Sequence, residues 1–127
     1  MKNKIIVTGG AGFVGSNLIK FFLKNTKLKI ISIDNYSSGT IKNHIKNIRV
    51  KYVKEHIKNI HKVLSTEKKN INAIFHFGEF ARIYQSFLKM EECIDSNSIG
   101  SHAVFNFCLS NKIKLIYSAT SAAIGNK

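Results

Sequence analysis

The chain contains no proline, and only two of its 127 residues are cysteine. Without proline, the ends of helices and strands must be marked by glycine, asparagine and serine. Cys93 and Cys108 stand too far apart for a CxxC pair and are too few for a disulfide framework. Each falls in an apolar helical pattern and is expected as a buried thiol. No apolar run approaches the ~20 residues of a membrane span, and the apolar part of MKNKIIVTGG is too short for a secretory signal. The cytoplasm is the expected compartment, with no membrane partner. Acidic residues are scarce: seven Asp and Glu against twenty Lys and Arg, a formal charge of +13. Such an excess favours anionic ligands. The lysines are scattered among Asn and Ile, and no basic run alternates with stacking aromatics, so no nucleic-acid partner is expected. Repeats, low-complexity tracts and linkers are absent as well.

What is present is one domain's worth of chain, 44% hydrophobic, long enough to bury a core. KIIVT at 4–8 is a short apolar run closed by glycines, the pattern of a fully buried strand. From Gly12 to about Lys24 the period becomes helical, with Val14, Leu18, Phe21 and Phe22 on one expected face and Lys20 and Lys24 on the other. KIISI at 29–33 is a second buried strand, 41–48 is weakly helical, and VKYV at 50–53 alternates like a strand nearer a sheet edge. A helix follows over 57–66, with Ile57, Ile60, Val63 and Leu64 inward, then a central strand AIFHF at 73–77. A long helix fills about 91–110, packing Ile94, Val104, Phe105 and Cys108, and KLIYS at 114–118 is the last strand. Strand–helix alternation requires crossover connections and hence a parallel sheet covered on both faces. The expected fold is α/β: a doubly wound, Rossmann-type parallel sheet of five strands in the order 3-2-1-4-5, with the fifth strand an uncovered edge.

TGGAGFVGS follows the first strand and opens the first helix. Gly9, Gly12 and Gly15 give GxxGxxG, and Gly10, Gly12 and Gly15 give GxGxxG. Both describe the same chemistry. The early glycines let a pyrophosphate approach the backbone, and the helix N-terminus offers free amides and a positive dipole end. Gly15 lets the helix pack closely on the strand. Asp34, roughly 20 residues past the last glycine at the tip of the second strand, completes the pattern. Its carboxylate suits the two hydroxyls of an adenosine ribose and repels a 2′-phosphate, which points to NAD rather than NADP. The bland reading is an ordinary turn and a loop-capping acid. Three coincident features weigh against it.

TGGAGFVGS, DNYSSG at 34–39, FHF at 75–77, NSIGS at 97–101 and YSATSAAIG at 117–125, in this order, resemble the extended short-chain dehydrogenase/reductase family. The likeness is to its NAD-dependent epimerase/dehydratase branch, of the UDP-glucose 4-epimerase type. The resemblance implies that Phe13 and Val14 line the pyrophosphate turn, and that Asn35, Ser37, Ser38 and Gly39 join Asp34 around the adenosine ribose. It implies an adenine pocket at His56 and Ile57, where the family usually has an acid in place of the histidine. Phe77 and Gly78 would pass beside the nicotinamide-side ribose, and Ser96, with Asn97 beside it, would contact the cofactor. Glu79 would touch the ribose or the substrate, or stand as a solvated loop carboxylate. His76 and Glu79 make two ligands and not a metal site, so no metal is expected. Thr120 matches the family's catalytic hydroxyl, ahead of Ser118, while Ser121 would serve the turn. The substrate class implied is a nucleotide sugar, with a homodimer possible.

The same resemblance places a Tyr-x-x-x-Lys acid/base pair downstream, and none occurs before Lys127. The chain is therefore expected to be an NAD-binding Rossmann domain spanning 1–127, cut before that helix and the substrate-binding region. As it stands it would bind NAD weakly and not turn over substrate. The complete enzyme is read as an epimerase because Ser121 and Ala122, not an acid, follow Thr120. A dehydratase and a non-catalytic dinucleotide-binding module are the alternatives.

Overall fold

Alternation along the first strand splits the hydrophobic core into two layers. In β1 (Lys4–Thr8) Ile6 turns to one face, while Ile5 and Val7 turn to the other. The computed structural model of the chain describes residues 1–120 and 123–125. β1 is followed by α1 (Phe13–Asn25), β2 (Lys29–Asp34) and β3 (Val50–Lys54), with a 3₁₀ turn at Ile41–Asn43 between the last two. A 3₁₀ turn at Ile57–Asn59 leads into α2 (Ile60–Val63) and then β4 (Ile71–His76). Two short helices, α3 (Ile83–Leu88) and α4 (Met90–Ile94), precede a π-helical segment at Asp95–Gly100. α5 (Ser101–Ser110) and β5 (Lys114–Tyr117) complete the order.

The five strands form one parallel sheet in the order β3-β2-β1-β4-β5, as the alternation requires. On one face Ile6, Ile31, Ile33 and Ile74 pack with Ile57, Ile60, Leu64, Val104 and Phe107. On the other face Ile5, Val7 and Ile30 pack with Ile19 of α1, and Phe22 and Phe75 close the layer. Burying each of these large side chains is worth about 1.5–3 kcal/mol.

Several expected boundaries and faces shift. Val14 and Phe21 are exposed, and α1 instead buries Gly15 and Ile19. The close approach of Gly15 to the preceding turn sets the rotation of this helix and carries Val14 outward. The expected long helix over 91–110 is broken into α4, the π-helical segment and α5, and Ile94 and Phe105 are exposed or nearly so. Cys108 is buried, whereas Cys93 is only half-buried. Burial pushes the Cys108 thiol up to about 11, so it stays protonated and inert. The segment 57–66 is shorter than expected, 41–48 keeps a single turn, and α3 was not foreseen.

Candidate functional site

The chain leaves β1 toward β2 and β3 and later returns to β4 on the other side of β1. The loops after β1 and β4 therefore diverge, opening a crevice at the carboxyl ends of the strands. A cavity of about 370 Å³ lies there, within the range of small-molecule sites.

Its floor is the glycine turn. Gly9 has φ +70°, and an added Cβ would lie 2.6 Å from the Phe77 carbonyl oxygen. Gly15 touches the same turn from the helix: a Cβ there would meet the Gly9 oxygen at 2.3 Å. Gly12 caps α1 without any side-chain hydrogen bond, and no acid stands in the first turn. The N-terminal amides of α1 are left to an outside acceptor, and Gly12 and Phe13 line the cavity. Val14 and Gly15 are not among the lining residues.

Asp34 is buried at the tip of β2. Its Oδ2 accepts the Ala11 N–H at 2.9 Å and its Oδ1 accepts the Tyr36 N–H at 2.8 Å. Each carboxylate oxygen keeps a second lone pair for a ligand hydroxyl. The loop beyond is tied to the same node. The Ala11 carbonyl accepts from Thr40 N at 3.1 Å and from Asn43 Nδ2 at 2.8 Å, and Gly39 packs on Ala11. Tyr36 holds φ +61°, a strained value for a tyrosine, and its hydroxyl pairs with His44 Nε2 at 2.7 Å. The His44 ring stacks on Tyr52 at 3.7 Å. Burial, with the Asp34 charge and Tyr52 beside it, raises the Tyr36 phenol. Asn35, Ser37 and Ser38 line the cavity from this loop.

His56 and Ile57 form another wall. His56 Nδ1 accepts the Lys58 N–H at 3.1 Å, and burial, then the Lys58 charge, lowers its pKa. Phe77, Gly78 and Glu79, from the loop after β4, and Ser96, from the π-helical segment, close the far side. Asn97 is not beside the cavity. Its Oδ1 accepts Phe80 N at 2.6 Å and its Nδ2 donates to Phe80 O at 2.9 Å, holding the loop shape. Thr120 follows β5, exposed, and is not among the cavity's lining residues. Ser121 lies outside the described residues.

Two features went unread in the sequence. Arg82, Gln85 and Lys89 also line the cavity, bringing positive charge to a crevice that holds Asp34 and Glu79. The second feature is a buried chain of hydrogen bonds. Thr8 Oγ1 lies 2.6 Å from His76 Nδ1, and His76 Nε2 lies 2.8 Å from Ser101 Oγ. The Ser101 hydroxyl donates to Glu79 Oε1 at 2.6 Å, and the Tyr117 hydroxyl donates to the same oxygen at 2.9 Å. Glu79 is thus tied by two hydroxyls and is not simply a solvated loop carboxylate. Burial lowers the His76 pKa, against the Glu79 charge, and the hydrogen bond to Glu79 raises that of Tyr117. Tyr117 is therefore held as a neutral phenol.

The comparisons with known proteins agree with this geometry. A family model described as "NAD dependent epimerase/dehydratase family" matches residues 5–127, and that family uses the cofactor to which Asp34 pointed. The chain is 30% identical over 129 residues to "Bifunctional protein GAL10" of Candida maltosa, covering 94% of this chain and 82% of that one. It is 29% identical over 130 residues to a dTDP-D-glucose 4,6-dehydratase of Dictyostelium discoideum, covering 97% and 30%. Among solved structures, the UDP-glucose 4-epimerase of Thermotoga maritima with UDP-glucose superposes with a TM-score of 0.83 at 27% identity, over 94% of this chain and 38% of that one. A UDP-N-acetylglucosamine 4-epimerase of Methanobrevibacter ruminantium M1, in complex with UDP-N-acetylmuramic acid, gives 0.83 at 30%, over 100% and 41%. The chain thus spans well under half the length of the dehydratase and of both structures.

Proposed function

Because this chain belongs to the NAD dependent epimerase/dehydratase family, we propose that its 127 residues are the cofactor-holding portion of a nucleotide-sugar epimerase. The observation that carries the reading is the juxtaposition of an uncapped helix N-terminus and a buried carboxylate in one crevice. The residues present suit a dinucleotide. The amide at Phe13, which opens α1, with Arg82 and Lys89 across the cavity, holds its diphosphate, while the Gly12 N–H closes the turn on the Gly9 carbonyl at 3.1 Å. Asp34 takes the adenosine ribose diol, with Asn35, Ser37 and Ser38 beside it, while Gly39 shapes their loop. His56 and Ile57 flank the adenine. Phe77, Gly78, Glu79 and Ser96 wall the nicotinamide side. When bound, NAD supplies a hydride acceptor, and later a donor, for a sugar ring carbon.

Thr120 is the proposed hydrogen-bond partner of the sugar oxygen that loses its proton. The base implied by the resemblance, a Tyr-x-x-x-Lys pair, does not occur in residues 1–127, and turnover would need that pair and a sugar-reading region in addition to them. Nucleotide sugars as substrate class are supported by the ligands named with the similar structures. Ser121 and Ala122 after Thr120 favour an epimerase over a dehydratase. A cytoplasmic location accords with the finding that, among the described residues, no helix is long and apolar enough to cross a membrane. A homodimer is proposed from the resemblance alone. Calorimetric titration with NAD and NADP, beside a turnover assay on UDP-sugars, tests the reading. We expect NAD to bind more tightly than NADP and no turnover by these 127 residues. Sugar turnover by them would refute the division of labour.

A further inference from the structure

We infer that His76, which is not among the residues that line the cavity, is a positioning residue for the cofactor: as the neutral ring with its proton on Nε2 it orients the Thr8 hydroxyl, and Thr8 in turn fixes the Phe77–Gly78 wall. The inference rests on the cofactor reading above and deepens it.

The direction of every hydrogen bond follows from counting lone pairs. Thr8 Oγ1 receives the Gly78 N–H at 3.0 Å and shares the Phe77 N–H, which lies 3.1 Å from both Oγ1 and the Thr8 carbonyl oxygen. A hydroxyl oxygen has two lone pairs and one hydrogen. With both lone pairs engaged, the Thr8 hydrogen goes to His76 Nδ1, 2.6 Å away. Nδ1 is then an acceptor, so the ring proton sits on Nε2 and is donated to Ser101 Oγ at 2.8 Å. The Ser101 hydroxyl passes its own hydrogen to Glu79. The chain starts at the cofactor wall and ends on a carboxylate that lines the same cavity.

His76 is fully buried. The groups that face it are Thr8 of β1, Ser101 and the Phe105 ring of α5, Glu79 of the loop after β4, with Oε1 3.9 Å from Nε2, and the Tyr117 ring of β5. Of these only Glu79 and Tyr117 titrate. A second proton on the ring would sit on Nδ1 and point at Thr8 Oγ1, whose own hydrogen then loses its acceptor. The hydroxyl must turn away, which disturbs its bond to the Gly78 N–H, while Phe77 keeps the Thr8 carbonyl. Acid should therefore weaken the nicotinamide side of the site more than the adenosine side.

The experiment compares NAD with ADP, which shares the adenosine and diphosphate contacts but lacks the nicotinamide side. His56 titrates beside the adenine, so its effect falls on both ligands and cancels in their affinity ratio. At about pH 8, Thr8→Val should weaken NAD binding about tenfold, the size of one lost hydrogen bond, and change ADP binding little. Thr8→Ser, which keeps the hydroxyl, should restore NAD binding. In the wild type the NAD-to-ADP affinity ratio should fall severalfold as pH drops from about 8 to below the ordinary histidine range, because burial holds the folded His76 under its usual value. In Thr8→Val the ratio should stay flat. A flat wild-type ratio, or a Thr8→Val ratio equal to the wild type's, with both ligands binding, overturns the inference and leaves the cofactor reading intact. Failure of both ligands to bind the wild type at pH 8 removes the cofactor reading itself. Hydrogen exchange on the wild type needs no variant. The protection factor of the Gly78 amide should fall at the lower pH while those within β1 and β2 hold, and unchanged protection at Gly78 refutes the proposal.

Discussion

Gly15 leaves no room for a methyl group, because the neighbouring atoms belong to the backbone of the glycine turn. Gly15→Ala should destabilise the fold by about 1–3 kcal/mol, as overpacking does, measured by urea denaturation. Asp34→Asn keeps the shape, removes the charge and sets an N–H against one of the two amides that Asp34 now accepts. Hydrogen bonds to a charged group are worth about 1.5–3 kcal/mol, so NAD affinity should drop at least about tenfold and the margin over NADP should narrow, both read by calorimetry. These residues were legible because their chemistry is local: three glycines and one acid at fixed spacing. The hydrogen-bonded chain through Thr8, His76, Ser101, Glu79 and Tyr117 was not, because no spacing in the sequence announces that four separated segments meet at one buried ring.

At the scale of elements, close approach of backbones decided what periodicity could not. The apolar pattern of α1 allows several rotations, and contact at Gly15 selects the one that exposes Val14 and Phe21. The same holds for the π-helical segment. A Cβ on Gly100 would lie 2.6 Å from Ile57 Cγ1, so this segment reaches the adenine-side wall only through a glycine. Gly100→Ala should push the segment off Ile57, destabilise by about 1–3 kcal/mol and weaken NAD binding together with stability, seen in parallel melts and titrations. α3 carries Arg82 at its N-cap and Lys89 at its C-cap; it lacked capping signals and was missed, and its cations were missed with it. The layer between β1, β4 and α5 also sets an acid limit. Burial keeps the folded His76 below its ordinary 6.5, so the unfolded chain takes up the proton first. Stability should be full above about pH 6.5 and fall as pH drops toward the folded value, checked by urea midpoints across that window. The lowered His56 acts in the same direction.

The strand order of the whole molecule was readable because alternating strands and helices admit few right-handed crossovers. What composition could not reveal is how much apolar surface stays open. Among the described residues β5 pairs only with β4. Leu109 on α5 is 79% exposed, and Phe105 lies against Tyr117 with ring centroids 5.3 Å apart. An apolar helix face beside a bare sheet edge favours association, so these 127 residues should self-associate as concentration rises. Leu109→Lys should shift light scattering toward the monomer with little change in NAD affinity.

All of this depends on a dinucleotide lying across the carboxyl ends of β1, β2 and β4, and a crystal structure determined with saturating NAD tests that most directly. The diphosphate is predicted against the amide at Phe13, at the N-terminus of α1, with the adenosine ribose hydroxyls on Asp34. A crevice without the dinucleotide, or a dinucleotide whose ribose avoids Asp34, would contradict the account.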